Sequence, residues 1–359
     1  MTKKIFEFYG DKGIEGEEKL YSPWQITRIL DVLGDFYYKE FLLLELKQRS
    51  DVKNVYVMDQ SIKINLKYLQ EDGESFKLDE EGILNIYHKG IPYSLFVTKE
   101  SVLLTEAFKL FSIIFSKYND SGVRLNKEEK GKKLYALYNT LLKKDIEEAI
   151  KYLKKEYEKL QIPKRYFESI LKAKDIYSNY DIYLKLEEED KNKAAYNNIR
   201  QYEKKFKNYF ALNKRPIIYV EYEDSYQLLG SEFFNNNDFK HSNENFMETK
   251  QISQNSPLYI SIAVSAAVAP SFVKLCSKLN EQRDENRNRA EIEKETADEI
   301  DELEREVDEL DNELDILESE NNLSNENNED VIKKSTEILS DYAETKSKEY
   351  LVKLNIIGK

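Results

Sequence analysis

Residues 300–317 place apolar side chains at Ile300, Leu303, Val307, Leu310, Leu314 and Leu317, in alternating steps of three and four. That spacing lines one stripe of an α-helix and, with Ile300 at heptad position a, forms a coiled-coil seam. The a sites hold Ile, Val and Leu and the d sites hold Leu, a choice that suits a parallel pair of helices. Only three heptads are covered, so the pattern specifies a short two-helix contact.

The flanks of the seam constrain its partner. Glu304, Asp311 and Glu318 occupy the e sites, and Glu299, Glu306, Glu313 and Glu320 occupy the g sites. Pairing two copies in either direction sets like charges together, at roughly 0.2–0.5 kcal/mol per contact by analogy with like pairs along a helix. A simple homodimeric coiled coil is therefore disfavoured, and a helix with basic flanks is preferred. The chain offers one in residues 330–354, where Val331, Ser335, Ile338, Leu339 and Tyr342 make a stripe beside Lys333, Lys334, Lys346, Lys348 and Lys353. Residues 321–328 would then be the loop of an intramolecular helical hairpin. The other expected partner is a separate protein.

Upstream, residues 251–273 carry no charge, which raises a membrane question. The continuous apolar part, residues 258–269, contains Leu258, Ile260, Ile262, Val264 and Val268, is interrupted by Ser261 and Ser265, and is followed by Pro270. A spanning helix needs about 20 apolar residues, so a buried strand followed by a helix is the expected use. A membrane role stays open as an alternative but is not favoured.

Charge is distributed unevenly over the 359 residues, whose net charge is −13. Residues 127–215 hold 23 Lys/Arg against 15 Asp/Glu, a local +8, whereas residues 281–359 hold 11 against 26, a local −15. Such an acidic chain is not a general nucleic-acid binder. Low counts of 11 Gly and 6 Pro favour long helices over a turn-rich sandwich or barrel. A single cysteine, Cys276, excludes an internal disulfide framework, and together with the N-terminal Met-Thr-Lys-Lys-Ile it points to a cytoplasmic setting.

In chain order, residues 4–9 read as a strand. Ser22-Pro23 reads as the start of a helix whose stripe runs from Trp24 to Leu44, with Trp24 expected in the core. Residues 55–58, 62–68, 83–87 and 91–97 read as strands of a small antiparallel sheet, the last two forming a hairpin around Lys89-Gly90. Residues 101–118 read as the helix covering it. Residues 126–212 read as helical throughout, with their tyrosines in the core and hydroxyls at the rim. Residues 217–222, 226–229, 247–253 and 258–262 read as a second, smaller sheet. The expected fold is α+β and predominantly helical, with small antiparallel sheets and a C-terminal coiled-coil or helical-hairpin arm. The expected division is an α+β domain (1–120), a Lys/Tyr-rich helical domain (121–215), a small β region with the apolar segment (216–279) and the acidic arm (280–359).

The strand before Asn255-Ser256-Pro257-Leu258, the apolar segment and the long charged helix together resemble the C-terminal part of a loose group of uncharacterised bacterial proteins from phage-defence and mobile-element contexts. That resemblance implies no catalytic residues. The sequence contains no phosphate-binding loop and no Gly-x-Gly-x-x-Gly after a strand. His88 (on an expected strand) and His241 (in an Asn-rich loop) are far apart, and Cys276 lies on an expected buried helix. Carboxylates at Asp31, Asp35 and Glu45 read as solvated helix positions. Glu221 and Glu223 at a strand end are the best fit to a metal-dependent nuclease. No catalytic residue, metal ligand or cofactor is assigned. The expected function is non-enzymatic docking of a protein partner through the acidic heptad helix. The alternatives are a membrane-acting effector exposing residues 258–273 and the metal-dependent nuclease.

Overall fold

Burial alternates along the first strand, with Phe6 and Phe8 inward and Ile5 exposed, as one buried sheet face requires. The computed structural model describes residues 3–10, 21–59, 75–143, 146–157, 160, 164–183, 194–234, 246–253, 258–296 and 328–359. In chain order the elements are β1 (Lys3–Gly10), α1 (Pro23–Lys47), β2 (Asn54–Asp59), α2 (Ile83–Tyr87), β3 (Ile91–Ser94), α3 (Lys99–Asp120), α4 (Lys127–Lys143), α5 (Ile146–Tyr157) and α6 (Lys164–Tyr183). There follow α7 (Ala194–Leu212), β4 (Ile218–Glu221), β5 (Tyr226–Leu228), β6 (Glu248–Ser253), β7 (Tyr259–Ser265), α8 (Ala269–Thr296), α9 (Asn328–Lys353) and β8 (Ile356–Gly358). The fold is α+β and predominantly helical, with two antiparallel four-stranded sheets.

Two compact units form, each from separate stretches of chain. The described residues within Met1–Leu44, His241–Glu326 and Ala343–Lys359 make one, and those within Glu45–Lys240 and Asn327–Tyr342 make the other. The units thus group stretches that a contiguous division at 120, 215 and 279 separates.

In the first unit the sheet order is β6-β7-β1-β8. The register sets Phe6 opposite Ile262 and Phe8 opposite Ile260, so β7 is a central strand and its apolar content is explained by burial. Phe272 of α8 is the hub of the core, with its ring centroid 5.2 Å from Phe36, 5.5 Å from Phe6, 6.3 Å from Tyr37 and 6.5 Å from Phe8. Strand β8 closes the sheet against α8 so tightly that a Cβ on Gly358 would stand 2.5 Å from Cys276 Sγ. Only glycine permits that approach.

Helix α1 begins as its sequence specifies. Ser22 Oγ accepts from Gln25 N at 3.3 Å while Gln25 Oε1 accepts from Ser22 N at 2.8 Å, a reciprocal cap. Trp24, however, is 85% exposed. At 3.6 residues per turn it points half a turn away from Leu33, and the core-facing stripe is Ile29, Leu33, Phe36 and Tyr37. The expectation of a core tryptophan is corrected accordingly.

In the second unit the sheet order is β3-β2-β4-β5. Residues 83–87, read above as a strand, are instead the helix α2. Asp79 Oδ1 accepts from Glu81 N at 3.1 Å and Gly82 N at 2.8 Å, and this local turn starts the helix. His88 is therefore a helix C-cap and not a strand residue. Gly90, at φ +135°, then turns the chain so that β3 pairs with β2 (Tyr56 opposite Ser94) rather than with 83–87. The expected strand 62–68 lies outside the described residues.

Pairing also differs from the expected second sheet. The hairpin β4–β5 joins β2, with Asn54 opposite Glu221, whereas β6 and β7 pair with each other and belong to the sheet of β1. Helix α3 covers the sheet of the second unit. It opens with a capping box between Thr98 and Ser101, buries Leu103, Leu104, Phe108 and Phe111, and is tied to β3 by Thr105 Oγ1 donating to Pro92 O at 2.6 Å.

Candidate functional site

The heptad residues Ile300, Leu303, Val307, Leu310, Leu314 and Leu317 lie outside the described residues, as do their acidic flanks. What the structure describes is the chain on either side: α8 leads into the heptad stretch and α9 follows it. Near the base of these helices the buried Glu344 carboxylate of α9 sits between two lysines of α8, with Lys274 Nζ at 2.6 Å from one oxygen and Lys278 close against the other. Basic residues of α8 thus meet an acidic residue of α9, whereas the expected hairpin contact itself lies outside the described residues.

The apolar segment is fully accounted for. Leu258, Ile260, Ile262, Val264 and Val268 are all buried, the middle three on β7 between β1 and β6. No helix among the described residues is long and apolar enough to cross a membrane.

Glu221 and Glu223 do not converge. Glu221 ends β4 facing inward and accepts hydrogen bonds from Tyr56 Oη at 2.6 Å and Tyr226 Oη at 2.9 Å. Burial pushes its carboxyl above the ordinary range, against the two tyrosine hydrogen bonds. The β4–β5 turn closes immediately after it, through Tyr222 N to Ser225 O at 2.8 Å, and carries Glu223 out to 84% side-chain exposure. Among the described residues no group of three or more His, Cys, Asp or Glu could hold a metal ion. Cys276 is buried, and burial pushes its thiol up to about 12. Of the helix carboxylates read as solvated, Asp35 pairs with Lys39 at 2.7 Å. Glu45 is partly buried, pairs with Arg49 and accepts from Gly230 N at 2.8 Å, so it is a structural tie.

A different cluster forms in the second unit, where α3, α6 and α7 meet. Glu106 and Lys109 of α3, Ser169, Lys172 and Ile176 of α6, and Gln201, Tyr202 and Lys205 of α7 line a polar cavity of about 180 Å³. Beside it a more apolar cavity of about 280 Å³ shares Glu106, Lys109 and Ser169 and adds Ile91, Leu110, Ser112, Ile113, Tyr166 and Ile170. The two are halves of one cleft.

Its floor is a set of mutually fixed side chains. The buried Glu106 carboxylate accepts from Lys109 at 2.5 Å and from Tyr202 Oη at 2.8 Å. Tyr93 stacks on Tyr209 at 5.2 Å, and Lys109 and Lys205 each stand 5.3 Å from the Tyr93 ring centroid. Tyr209 in turn donates to Asp59 at 2.7 Å, and burial with that hydrogen bond raises its hydroxyl to about 12. Burial, reinforced by the Lys109 charge, holds the Lys205 ammonium below the ordinary lysine range.

Sequence reading missed this cleft. The one signal was Glu106 with Lys109, two charged residues three apart inside the mostly apolar run of residues 103–115. The lysines were read only as part of a basic, helical region, because nothing local shows that positions 109, 172 and 205 share one opening. No family model, curated protein or solved structure matches the chain.

Proposed function

We propose that the protein is a non-enzymatic interaction subunit that docks a protein partner through the acidic heptad helix. The observation that carries this reading is the uniformly acidic e and g flank of the seam from Ile300 to Leu317, which selects a partner helix with basic flanks and opposes self-pairing. The geometry weighs against the two rivals. A membrane role would require β7 to leave its place between β1 and β6, and Glu221 and Glu223 face different environments and share no ion site. The resemblance described above would put such docking in a bacterial defence complex.

The test is co-purification of tagged full-length protein from its native host, coupled to light scattering, with wild type compared with the Leu303→Asp/Leu310→Asp variant. A stoichiometric partner lost from the variant, with the folded core intact by circular dichroism, supports docking. A partner retained by the variant, or a wild-type protein that is an isolated homo-oligomer, overturns it.

A further inference from the structure

We propose that the cleft between α3, α6 and α7 is a binding site for a small phosphomonoester, with the phosphate held by Lys172 and Lys205 and the apolar or aromatic body of the ligand seated against Leu110, Ile113 and Ile170.

The charge arithmetic favours a phosphate. Glu106 is satisfied by Lys109 and Tyr202, so these three groups leave the cleft no net negative demand. Among the described residues Lys172 and Lys205 form no ion pair, and both line the polar cavity together with Ser169 and Gln201, which can hydrogen-bond phosphate oxygens. Two unpaired lysines match the dianionic form of a phosphomonoester better than a single carboxylate, and lysine serves phosphate as a mobile point charge. Lys205 stands 5.3 Å from the Tyr93 ring centroid and, unlike Lys109, which is paired with Glu106, makes no salt bridge among the described residues. The adjoining cavity supplies the second requirement. Its exposed lining is mostly apolar, and at about 280 Å³ it has room for a ring or a short chain attached to the phosphate. A polar end built for an anion and an apolar end sharing Lys109 and Ser169 with it describe one amphipathic ligand, not two independent sites.

The rigidity of the floor supports the assignment. Lys109 is fixed by Glu106, Tyr93 by Tyr209, and Tyr209 by Asp59, so the cleft is preorganised before any ligand arrives and less ordering cost falls on binding.

The experiment is isothermal titration of the full-length protein at about pH 8, where the phosphates are dianionic, with inorganic phosphate, phenyl phosphate and benzoate as probes. Phenyl phosphate is expected to bind tighter than both inorganic phosphate and benzoate, by about tenfold, from added apolar burial in one case and from charge in the other. Lys172→Ala/Lys205→Ala, which breaks no salt bridge among the described residues, is expected to weaken phenyl phosphate by about tenfold or more, on the scale of lost charge-assisted hydrogen bonds. Ile113→Ser is expected to narrow the difference between phenyl phosphate and inorganic phosphate while leaving the latter unchanged. Absence of phenyl phosphate binding at millimolar concentration overturns the proposal, as does binding that the lysine double variant retains. Benzoate binding as tightly as phenyl phosphate overturns the assignment to a phosphate.

Discussion

Lys274 Nζ stands 2.6 Å from a carboxylate oxygen of Glu344, whose side chain is only 3% exposed, while Lys278 closes on the other oxygen. A nearly buried carboxylate is thereby neutralised by two lysines one helical turn apart, Lys274 itself being half exposed. Removing Glu344 leaves two lysines that water can still solvate, so the loss is smaller than for a fully buried pair. We expect Glu344→Ala to cost about 1–2 kcal/mol, in the range of a lost charge-assisted contact with partial screening. Urea denaturation at low and high salt measures it, and a variant as stable as wild type under both conditions would show that the fork contributes nothing.

Glu221 gives a pH dependence of defined sign. Its carboxyl is raised by burial, so the folded state holds the proton to higher pH than the unfolded chain does. The stability this contributes is complete below the ordinary carboxyl value of 4.5 and is lost as pH rises through the higher folded value. Glu221→Gln cannot ionise and keeps an acceptor oxygen for one of the two tyrosines, its amide nitrogen facing the other. We expect the difference in stability between variant and wild type to shift in favour of the variant as pH rises above about 4.5. Parallel stability curves for the two proteins across this window would contradict the assignment.

Cys276 behaves similarly at the alkaline end. Its thiol is raised to about 12, so stability is lost as pH climbs from about 9.0 toward about 12, the unfolded chain losing its proton first. We expect Cys276→Ser to flatten part of that alkaline loss, and native Cys276 to react with a thiol reagent near neutral pH only through opening of the fold. Prompt stoichiometric labelling of the native protein would be the contrary result.

Trp24 and Phe272 make a contrast between position and residue type. Phe272→Ala empties the hub contacted by Phe6, Phe8, Phe36 and Tyr37 and should cost about 3–5 kcal/mol. Trp24→Ala removes an exposed side chain and should stay within about 0.5 kcal/mol of wild type. The native fluorescence of this single tryptophan should be open to an aqueous quencher. A shielded emission, or a large loss on Trp24→Ala, would contradict the exposed placement of the ring.

Elements whose signals are short-range were legible in the sequence. Ser22-Pro23 starts α1 because a cap acts within one turn, and the apolar residues of 101–118 and 258–262 declare burial because no surface position tolerates such runs. The tyrosines of α7 are expected in the core with hydroxyls at the rim, but Tyr202 and Tyr209 are half-buried and turn their hydroxyls onto the buried carboxylates of Glu106 and Asp59. Pairing was decided only in three dimensions. Phe6 meets Ile262 and Asn54 meets Glu221 across more than a hundred residues, and an antiparallel strand carries no label naming its partner. The same holds for α2, where the Asp79 turn outweighed a strand-like composition, and for the cleft, whose lysines on α6 and α7 acquire a common purpose only when those helices pack beside α3. Periodicity and capping are properties of neighbours in sequence, whereas a binding site depends on which faces meet, and tertiary packing alone fixes that.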